Sequence, residues 1–156
     1  MLRRLQEYSI DQGVTPADAL LNTPYTNTLS PHEQPAYPGD LALEKRIENI
    51  IRWNVPGSFE LVYGAQRMIV TQEVDVVITI GCVIKGETMH FEFVCEGVTQ
   101  GIKDLNVQTD VPVIFCLLTD NNEQQSIDRS GGIHGNKGTE AAIAAIKMAE
   151  LRRKTM

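Results

Sequence analysis

Residues 74–80 read Val-Asp-Val-Val-Ile-Thr-Ile, and this run decides the fold class of the 156-residue chain. The run is almost continuously apolar, which predicts a strand buried on both faces. A second run of this kind covers residues 111–118, and an alternating run covers residues 50–55. Helical patterns separate the three. Buried strands that alternate with helices predict an α/β domain of three layers, α/β/α, around a parallel sheet.

Apolar residues at helical spacing predict the elements between these strands. Long helices are expected at residues 59–72, 90–106 and 139–152, and a short one at residues 122–130. Ser58 is the expected N-cap of the first helix. Residues 81–88 and the glycine-rich residues 131–138 are predicted loops. The predicted domain therefore covers residues 49–156.

The first 48 residues have a different texture, because prolines interrupt every candidate element. Four of them exclude a central strand: Pro24, Pro31, Pro35 and Pro38. We expect an irregular Pro-rich arm over residues 1–48 with short helices, one near residues 2–8 and one capped by Asp40.

Composition restricts the kinds of ligand and partner that we expect for the chain. The net charge of −6 favours solubility and argues against nucleic acid as the main partner. Cys82, Cys95 and Cys116 are odd in number and lack paired spacing, which argues against a disulfide framework or a zinc site and predicts free buried thiols. No apolar run has the pattern of a signal peptide or a membrane span, so we expect a cytoplasmic protein without membrane contact.

Polar segments follow each predicted strand, at the edge where open parallel sheets bind ligands. They are residues 55–60, residues 81–90, and a segment that begins at Thr119 and ends in the loop at 135–138. Residues 86–88, Gly-Glu-Thr, are predicted to open a helix, whose free N–H groups would attract an anion. His90 would lie in the first turn, where the dipole favours a neutral base, although it could equally cap or pack there.

Other residue types in these segments suit a phosphorylated, ring-containing ligand. Arg129 and Lys137 are cations near glycine-rich backbone, which suits phosphate, or they belong to a solvated surface. Phe59 and Phe115, expected at strand ends, could sandwich a flat heterocycle or belong to the core. Glu60 could bind hydroxyls or favour a helix N-terminus. These residues predict an anion site beside a histidine, without defining a reaction.

Taken together, the motifs resemble one enzyme family. They are VPGSFE at 55–60, GCVIKGETMHF at 81–91, PVIF at 112–115, Glu123-Gln124, Arg129 and GNKG at 135–138. In this order and without gaps they resemble the 6,7-dimethyl-8-ribityllumazine synthases, a transferase family of riboflavin biosynthesis, over residues 49–154. The resemblance implies condensation of 5-amino-6-(D-ribitylamino)uracil with 3,4-dihydroxy-2-butanone 4-phosphate, with loss of phosphate and water.

The resemblance also implies a role for each matching residue. His90 would transfer protons. The phosphate would be held by Gly86, Glu87, Thr88 and Arg129. The uracil and its ribityl chain would contact Ser58, Phe59, Glu60, Cys82, Val83 and Ile84. Phe115 and Lys137 would come from the adjoining subunit of a homopentamer or a pentamer-based shell. The family needs no metal and no organic cofactor.

The resemblance stops at the N-terminus. Family members carry a strand and helix before the strand at 50–55, and that strand brings an aromatic residue to the substrate ring. Residues 21–28 and 33–47 instead resemble the N-terminal region of the homodimeric type of pyruvate dehydrogenase component. We therefore predict that the chain is a chimera in which residues 1–54 follow this second pattern. A non-catalytic assembly subunit and a partner-docking module are therefore alternatives. An aromatic from the arm, Tyr25 or Tyr37, beside His90 would favour an active enzyme.

Overall fold

The apolar run near residue 74 leads into a parallel sheet in the computed structural model, which describes residues 49–156. Strand β1 is Val77–Ile84 and strand β2 is Val113–Asp120. They pair in parallel without a shift, from Val77 opposite Val113 to Ile84 opposite Asp120. The carboxyl ends of both strands therefore meet at one edge, and the predicted α/β arrangement is confirmed.

Four helices and a small hairpin surround this pair. They are α1 (Leu61–Thr71), α2 (His90–Gln108), α3 (Glu123–Arg129), β3 (Ser130–Gly132), β4 (Gly135–Asn136) and α4 (Lys137–Thr155). Each helix predicted within residues 49–156 is present, with ends that differ from the prediction by three residues at most.

The helices cover both faces of the sheet. Residues Ala65 of α1 and Val98 and Ile102 of α2 pack with Val77 and Leu117 in one buried cluster. Neighbouring side chains of a strand point to opposite faces. The side chain of Cys116 accordingly reaches α4, where its Sγ donates to the Lys137 carbonyl at 3.6 Å. The buried Ala141 and Ala145 let α4 approach this second face closely. Three layers result.

The predicted strand at residues 50–55 is wrong. This segment has no ladder within residues 49–156, where the parallel sheet contains β1 and β2 alone. Trp53 and Val55 lie beside residues 77–79 across a small cavity of about 50 Å³. A strand exists through hydrogen bonds to a neighbour, and an alternating pattern cannot supply that neighbour. The predicted arm, with its short helices, lies outside the described residues.

Two predicted loops are largely regular structure. Residues 81–84 continue β1, because Gly81 pairs with Leu117 in the ladder. The glycine is needed for close packing there, since a Cβ would lie 2.8 Å from Leu117 Cδ1 and 2.9 Å from Leu61 Cδ1. Residues 131–138 contain the β3–β4 hairpin, in which Gly131 and Gly135 have φ angles of 116° and 77°. Only glycine adopts such angles at no steric cost.

Candidate functional site

Two main-chain segments meet at the carboxyl edge of the sheet. After β1 ends at Ile84, the N–H of Lys85 donates to the carbonyl of Asp120, the last residue of β2, at 2.8 Å. This bond continues the strand pairing by one step and fixes where residues 86–88 leave the sheet. Cys82, Val83 and Ile84, the last residues of β1, end at the same edge.

His90 is the first residue of α2, and it is exposed. Its N–H donates to Thr88 Oγ1 at 3.4 Å. Residues 86–88 do not form the first turn themselves, because Met89 is the N-cap and the helix begins at His90, the residue predicted as its start. Gly86, Glu87 and Thr88 nevertheless lie immediately before the helix N-terminus and are exposed, so an anion could approach the free N–H groups of the first turn.

An ion pair joins Lys85 and Glu92, which lie on either side of residues 86–90. Lys85 Nζ lies 2.9 Å from Glu92 Oε1 and 5.8 Å from the centre of the Phe91 ring. The hydrogen bond from Lys85 is the main reason that the pKa of Glu92 is lowered. The Lys85 charge is thus engaged by a neighbouring carboxylate.

A buried polar cluster lies behind the edge. Asp120 and Ser126 are 4% and 0% exposed, and Ser126 Oγ donates to Asp120 Oδ2 at 2.9 Å. Arg129 Nη1 lies 3.6 Å from Asp120 Oδ1 and donates to the Gln125 carbonyl at 3.2 Å. Cys82 Sγ is 3.2 Å from Ser126 Oγ. Helix α3 therefore contacts both strands through Ser126, and its last residue, Arg129, contacts Asp120 of β2.

The cysteines of the described region are all free. Burial raises the pKa of Cys82, the hydrogen bond with Ser126 opposes this shift, and the Asp120 carboxylate adds to it. Burial likewise raises the pKa of Cys116 to about 11. A thiol with a raised pKa is a poor nucleophile at neutral pH, so neither residue has the character of a catalytic thiolate. The prediction of buried thiols holds for Cys116, whereas Cys82 and Cys95 are only half-buried.

Residues 58–60 form a second wall of the edge. Ser58 Oγ donates to the Cys82 carbonyl at 3.3 Å. The predicted capping role of Ser58 is wrong, because the N-cap of α1 is Glu60, whose side chain caps no N–H group. Glu60 is exposed, and Phe59 is 57% exposed with its ring against Gly97 of α2.

Phe115 and Lys137 lie elsewhere on the protomer. Phe115 is opposite Thr79, five positions before Asp120, which places it roughly 16 Å along the strand from the carboxyl edge. The prediction that it lies at a strand end is wrong, since β2 continues through Asp120. Lys137 begins α4, and its Nζ lies 2.8 Å from Glu140 Oε2. Both residues are near Cys116, whose thiol contacts the Lys137 carbonyl.

Sequence reasoning gave no role to Asp120 or Ser126. Asp120 ends an apolar strand, and an acidic residue at that place is a signal that the search for ligand groups could have used. Ser126 carries no such signal, because its contact with Asp120 depends on how α3 packs against β2.

Residues 49–156 contain no cluster of three or more histidine, cysteine or acidic residues that could hold a metal ion. Over the same part of the chain, no helix is both long and apolar enough to cross a membrane.

The fold and the edge residues together define a layered α/β protein with a histidine, an arginine and free backbone N–H groups at the carboxyl end of a parallel sheet. The family model for 6,7-dimethyl-8-ribityllumazine synthase matches residues 40–153 of the chain. The chain belongs to this family.

Three curated proteins named 6,7-dimethyl-8-ribityllumazine synthase illustrate the similarity. The one from Flavobacterium psychrophilum is 87% identical over 105 residues, 67% of this chain and 56% of its own length. The one from Flavobacterium johnsoniae is 82% identical over 105 residues, 67% of this chain and 55% of its own length. The one from Christiangramia forsetii is 72% identical over 107 residues, 68% of this chain and 64% of its own length. The chain thus spans about half the length of the first two.

Proposed function

We propose that the chain is a lumazine synthase that condenses 5-amino-6-(D-ribitylamino)uracil with 3,4-dihydroxy-2-butanone 4-phosphate. The observation that supports the proposal is the position of Arg129 against Asp120, whose carbonyl accepts from the Lys85 N–H just before residues 86–88 and His90, in a chain of this family. A phosphate-bearing substrate needs a cation and backbone donors, and ring closure needs a proton-transfer group near neutral pH.

In this proposal each part of the edge has one task. Arg129 and the N–H groups after Gly86, Glu87 and Thr88 bind the phosphate, and His90 transfers protons beside it. The ring and ribityl chain lie against Ser58, Phe59, Glu60, Cys82, Val83 and Ile84. The exposed Phe59 ring offers a flat apolar surface for stacking, which contributes about 0.5–1.5 kcal/mol beyond area burial.

We further propose that the site is completed by a second subunit of a homopentamer or a pentamer-based shell. Phe115 lies along β2 away from the edge, and Lys137, the first residue of α4, contacts the neighbouring Cys116 through its carbonyl. Both are substantially exposed, with 42% of Phe115 and 43% of the Lys137 side chain accessible. Residues at such a place can serve the edge of a neighbouring copy. A cytoplasmic location and small-molecule substrates accompany the proposal.

Turnover of the two substrates by the purified 156-residue chain tests the activity. Arg129→Ala removes a charge-assisted contact of about 1.5–3 kcal/mol, so KM for the phosphate-bearing substrate should rise at least tenfold. Arg153→Ala, an exposed arginine on α4, is the matched control and should leave KM unchanged. An unchanged KM in Arg129→Ala would remove the arginine from the site.

Coexpression of two inactive variants tests the shared site. His90→Ala and Lys137→Ala each damage a different contribution to one interface. Random mixing restores both contributions at about a quarter of the interfaces, because neighbouring copies then combine independently. Recovery to that level supports a site between subunits, and no recovery places both residues in one protomer's site.

A non-catalytic assembly subunit is the second candidate. It is favoured by the segment at 50–55, which pairs with no strand within residues 49–156. Such a subunit would form the oligomer and show no turnover. A partner-docking module would neither form the oligomer nor show turnover. Size measurement together with the turnover assay separates all three.

A further inference from the structure

Arg129 is held in a way that leaves part of its guanidinium available. Nη1 donates to the Gln125 carbonyl at 3.2 Å and lies 3.6 Å from Asp120 Oδ1. Within residues 49–156 both of these contacts use Nη1. A guanidinium carries five N–H donors in a rigid plane, so anchoring one nitrogen leaves Nε and Nη2 to form a fork that matches a phosphate.

Asp120, which holds Arg129, is itself held in place. The side chain of Asp120 is 5% exposed, while that of Arg129 is 35% exposed, so the carboxylate is inside and the arginine reaches outward from it. Asp120 Oδ2 accepts a hydrogen bond from Ser126 Oγ at 2.9 Å, and Ser126 is fully buried. Ser126 and Arg129 are three residues apart on α3 and share a face of the helix. One carboxylate thus receives two contacts from the same helix face.

Asp120 also joins the two halves of the edge. Its carbonyl accepts from the Lys85 N–H at 2.8 Å, immediately before residues 86–88. The side chain therefore fixes the cation, and the main chain of the same residue fixes the segment that carries the backbone donors. Substitution of the side chain leaves the main-chain bond in place, so the two functions can be separated.

We propose that Asp120 and Ser126 are positioning residues, which hold the Arg129 guanidinium in the orientation that binds the substrate phosphate. The inference rests on the proposed function, since it assigns a task to the arginine of that site. Neither residue touches the phosphate. The buried carboxylate orients the arginine, and the buried hydroxyl orients the carboxylate.

The sign of the effect distinguishes positioning from simple electrostatics. A carboxylate near a phosphate site repels the ligand, so its removal alone would lower KM for the phosphate-bearing substrate. Loss of orientation raises it, because a small misplacement of a binding group weakens the contact severely. We expect Asp120→Asn to raise KM about tenfold with little change in kcat.

Asp128→Asn is the matched control. It removes the same charge as Asp120→Asn, but from α3 and next to Arg129, where its Oδ1 accepts from Gln124 Nε2 at 2.9 Å. We expect no increase in KM. Ser126→Ala should raise KM in the same direction as Asp120→Asn and by a smaller factor. If Asp120→Asn lowers KM, or if Asp128→Asn raises it equally, the inference is wrong.

A double-mutant cycle separates this inference from the proposed function. In an Arg129→Ala background, Asp120→Asn should cause no further rise in KM, since the residue it positions is absent. If Arg129→Ala itself has no effect on KM, the proposed phosphate site fails. If Arg129→Ala raises KM and Asp120→Asn does not, only the positioning role fails.

A measurement without substrate applies even to a chain that shows no turnover. The Arg129 Nε–Hε signal in a ¹H–¹⁵N spectrum should be resolved and ordered in the parent chain and in Asp128→Asn. In Asp120→Asn it should move toward the position and mobility of a free arginine. An unchanged signal in Asp120→Asn overturns the inference.

Discussion

The two outer edges of the parallel sheet differ in how their main-chain groups are hydrogen-bonded. On the outer side of β2, Asn106 of α2 acts as a strand residue would, because its Nδ2 donates to the Val113 carbonyl at 2.8 Å and its Oδ1 accepts from the Val113 N–H at 2.9 Å. On the outer side of β1, Trp53 and Val55 lie near the strand without a ladder. Asn106 thus pairs with the outward-facing main chain at the start of one edge, whereas no strand within residues 49–156 pairs with the outer side of β1. An unpaired edge of this kind invites mispairing and aggregation.

The largest expected effect comes from supplying a partner strand on this side of the sheet. Replacing residues 1–48 with the family's first strand and helix should cover Ile50, Ile51 and Trp53, which are 53%, 37% and 42% exposed. Burial of a large apolar side chain contributes about 1.5–3 kcal/mol. We expect the melting temperature to rise by about 10 °C or more, and turnover to increase, because Ser58–Glu60 follow this segment. Equal melting temperature and turnover in the two proteins would show that the arm already fills this place.

The next effect concerns the edge where Asn106 pairs with the main chain. Asn106→Ala leaves the N–H and the carbonyl of Val113, a residue that is 3% exposed, without their partner. Unpaired buried polar groups cost about 1–3 kcal/mol each, so the loss of both partners should lower the free energy of unfolding by at least about 2 kcal/mol. Urea denaturation measures it. Gln100→Ala, at an exposed position of the same helix, serves as the control and should change stability by less than about 0.5 kcal/mol.

A pair of glycines in α2 gives a smaller and more selective contrast. A Cβ at Gly101 would lie 2.6 Å from Val62 Cγ2, whereas a Cβ at Gly97 would meet the Phe59 ring at 2.7 Å. Val62 packs against the core and cannot retreat, so Gly101→Ala should destabilise by about 1–3 kcal/mol. Phe59 is exposed and can swing away, and alanine favours the helix, so Gly97→Ala should be nearly neutral in stability.

The same pair reports on the proposed ring site. Displacing Phe59 should raise KM for the pyrimidine substrate in Gly97→Ala and leave KM for the phosphate-bearing substrate unchanged. If both glycine variants lose equal stability, the Phe59 ring is fixed by packing and cannot move aside as proposed.

The smallest effect is chemical. The Cys116 thiol, with its pKa raised to about 11, is thiolate in only about one molecule in a thousand at pH 8. The thiolate fraction then increases about tenfold per pH unit until the pH reaches the pKa. In a Cys82→Ser/Cys95→Ser variant, alkylation of Cys116 should therefore accelerate about tenfold per unit between pH 8 and pH 10 and become fast in urea. Rapid labelling of the folded variant at pH 8 would contradict a well-packed β2.

Sequence reasoning succeeded where a pattern depends on nearby residues. The apolar runs and helical spacing predicted both paired strands, all four helices and the parallel arrangement. Prediction failed where distant contacts decide. The alternating residues 50–55 pair with no strand within residues 49–156. Gly81 has the pattern of a loop residue, although it packs closely against Leu61 and Leu117 within β1. The roles that the motifs assign to residues of the candidate site stay predictions, and the contact between the buried Asp120 and Ser126 depends on how α3 packs.

Because β1 and β2 pair without a shift, the length of α2 has to match the length of the strands that it connects. Every residue of β1 is opposite the residue 36 positions later, and that interval is constant over all eight pairs. The eight-residue strand rises roughly 26 Å, and the 19-residue helix that returns the chain rises roughly 28 Å. The two lengths match within one helical turn. An insertion or deletion inside the helix of this chain would therefore shift Asp120 from the level of Ile84, whereas a change in the loops at its ends would leave the two strand ends level.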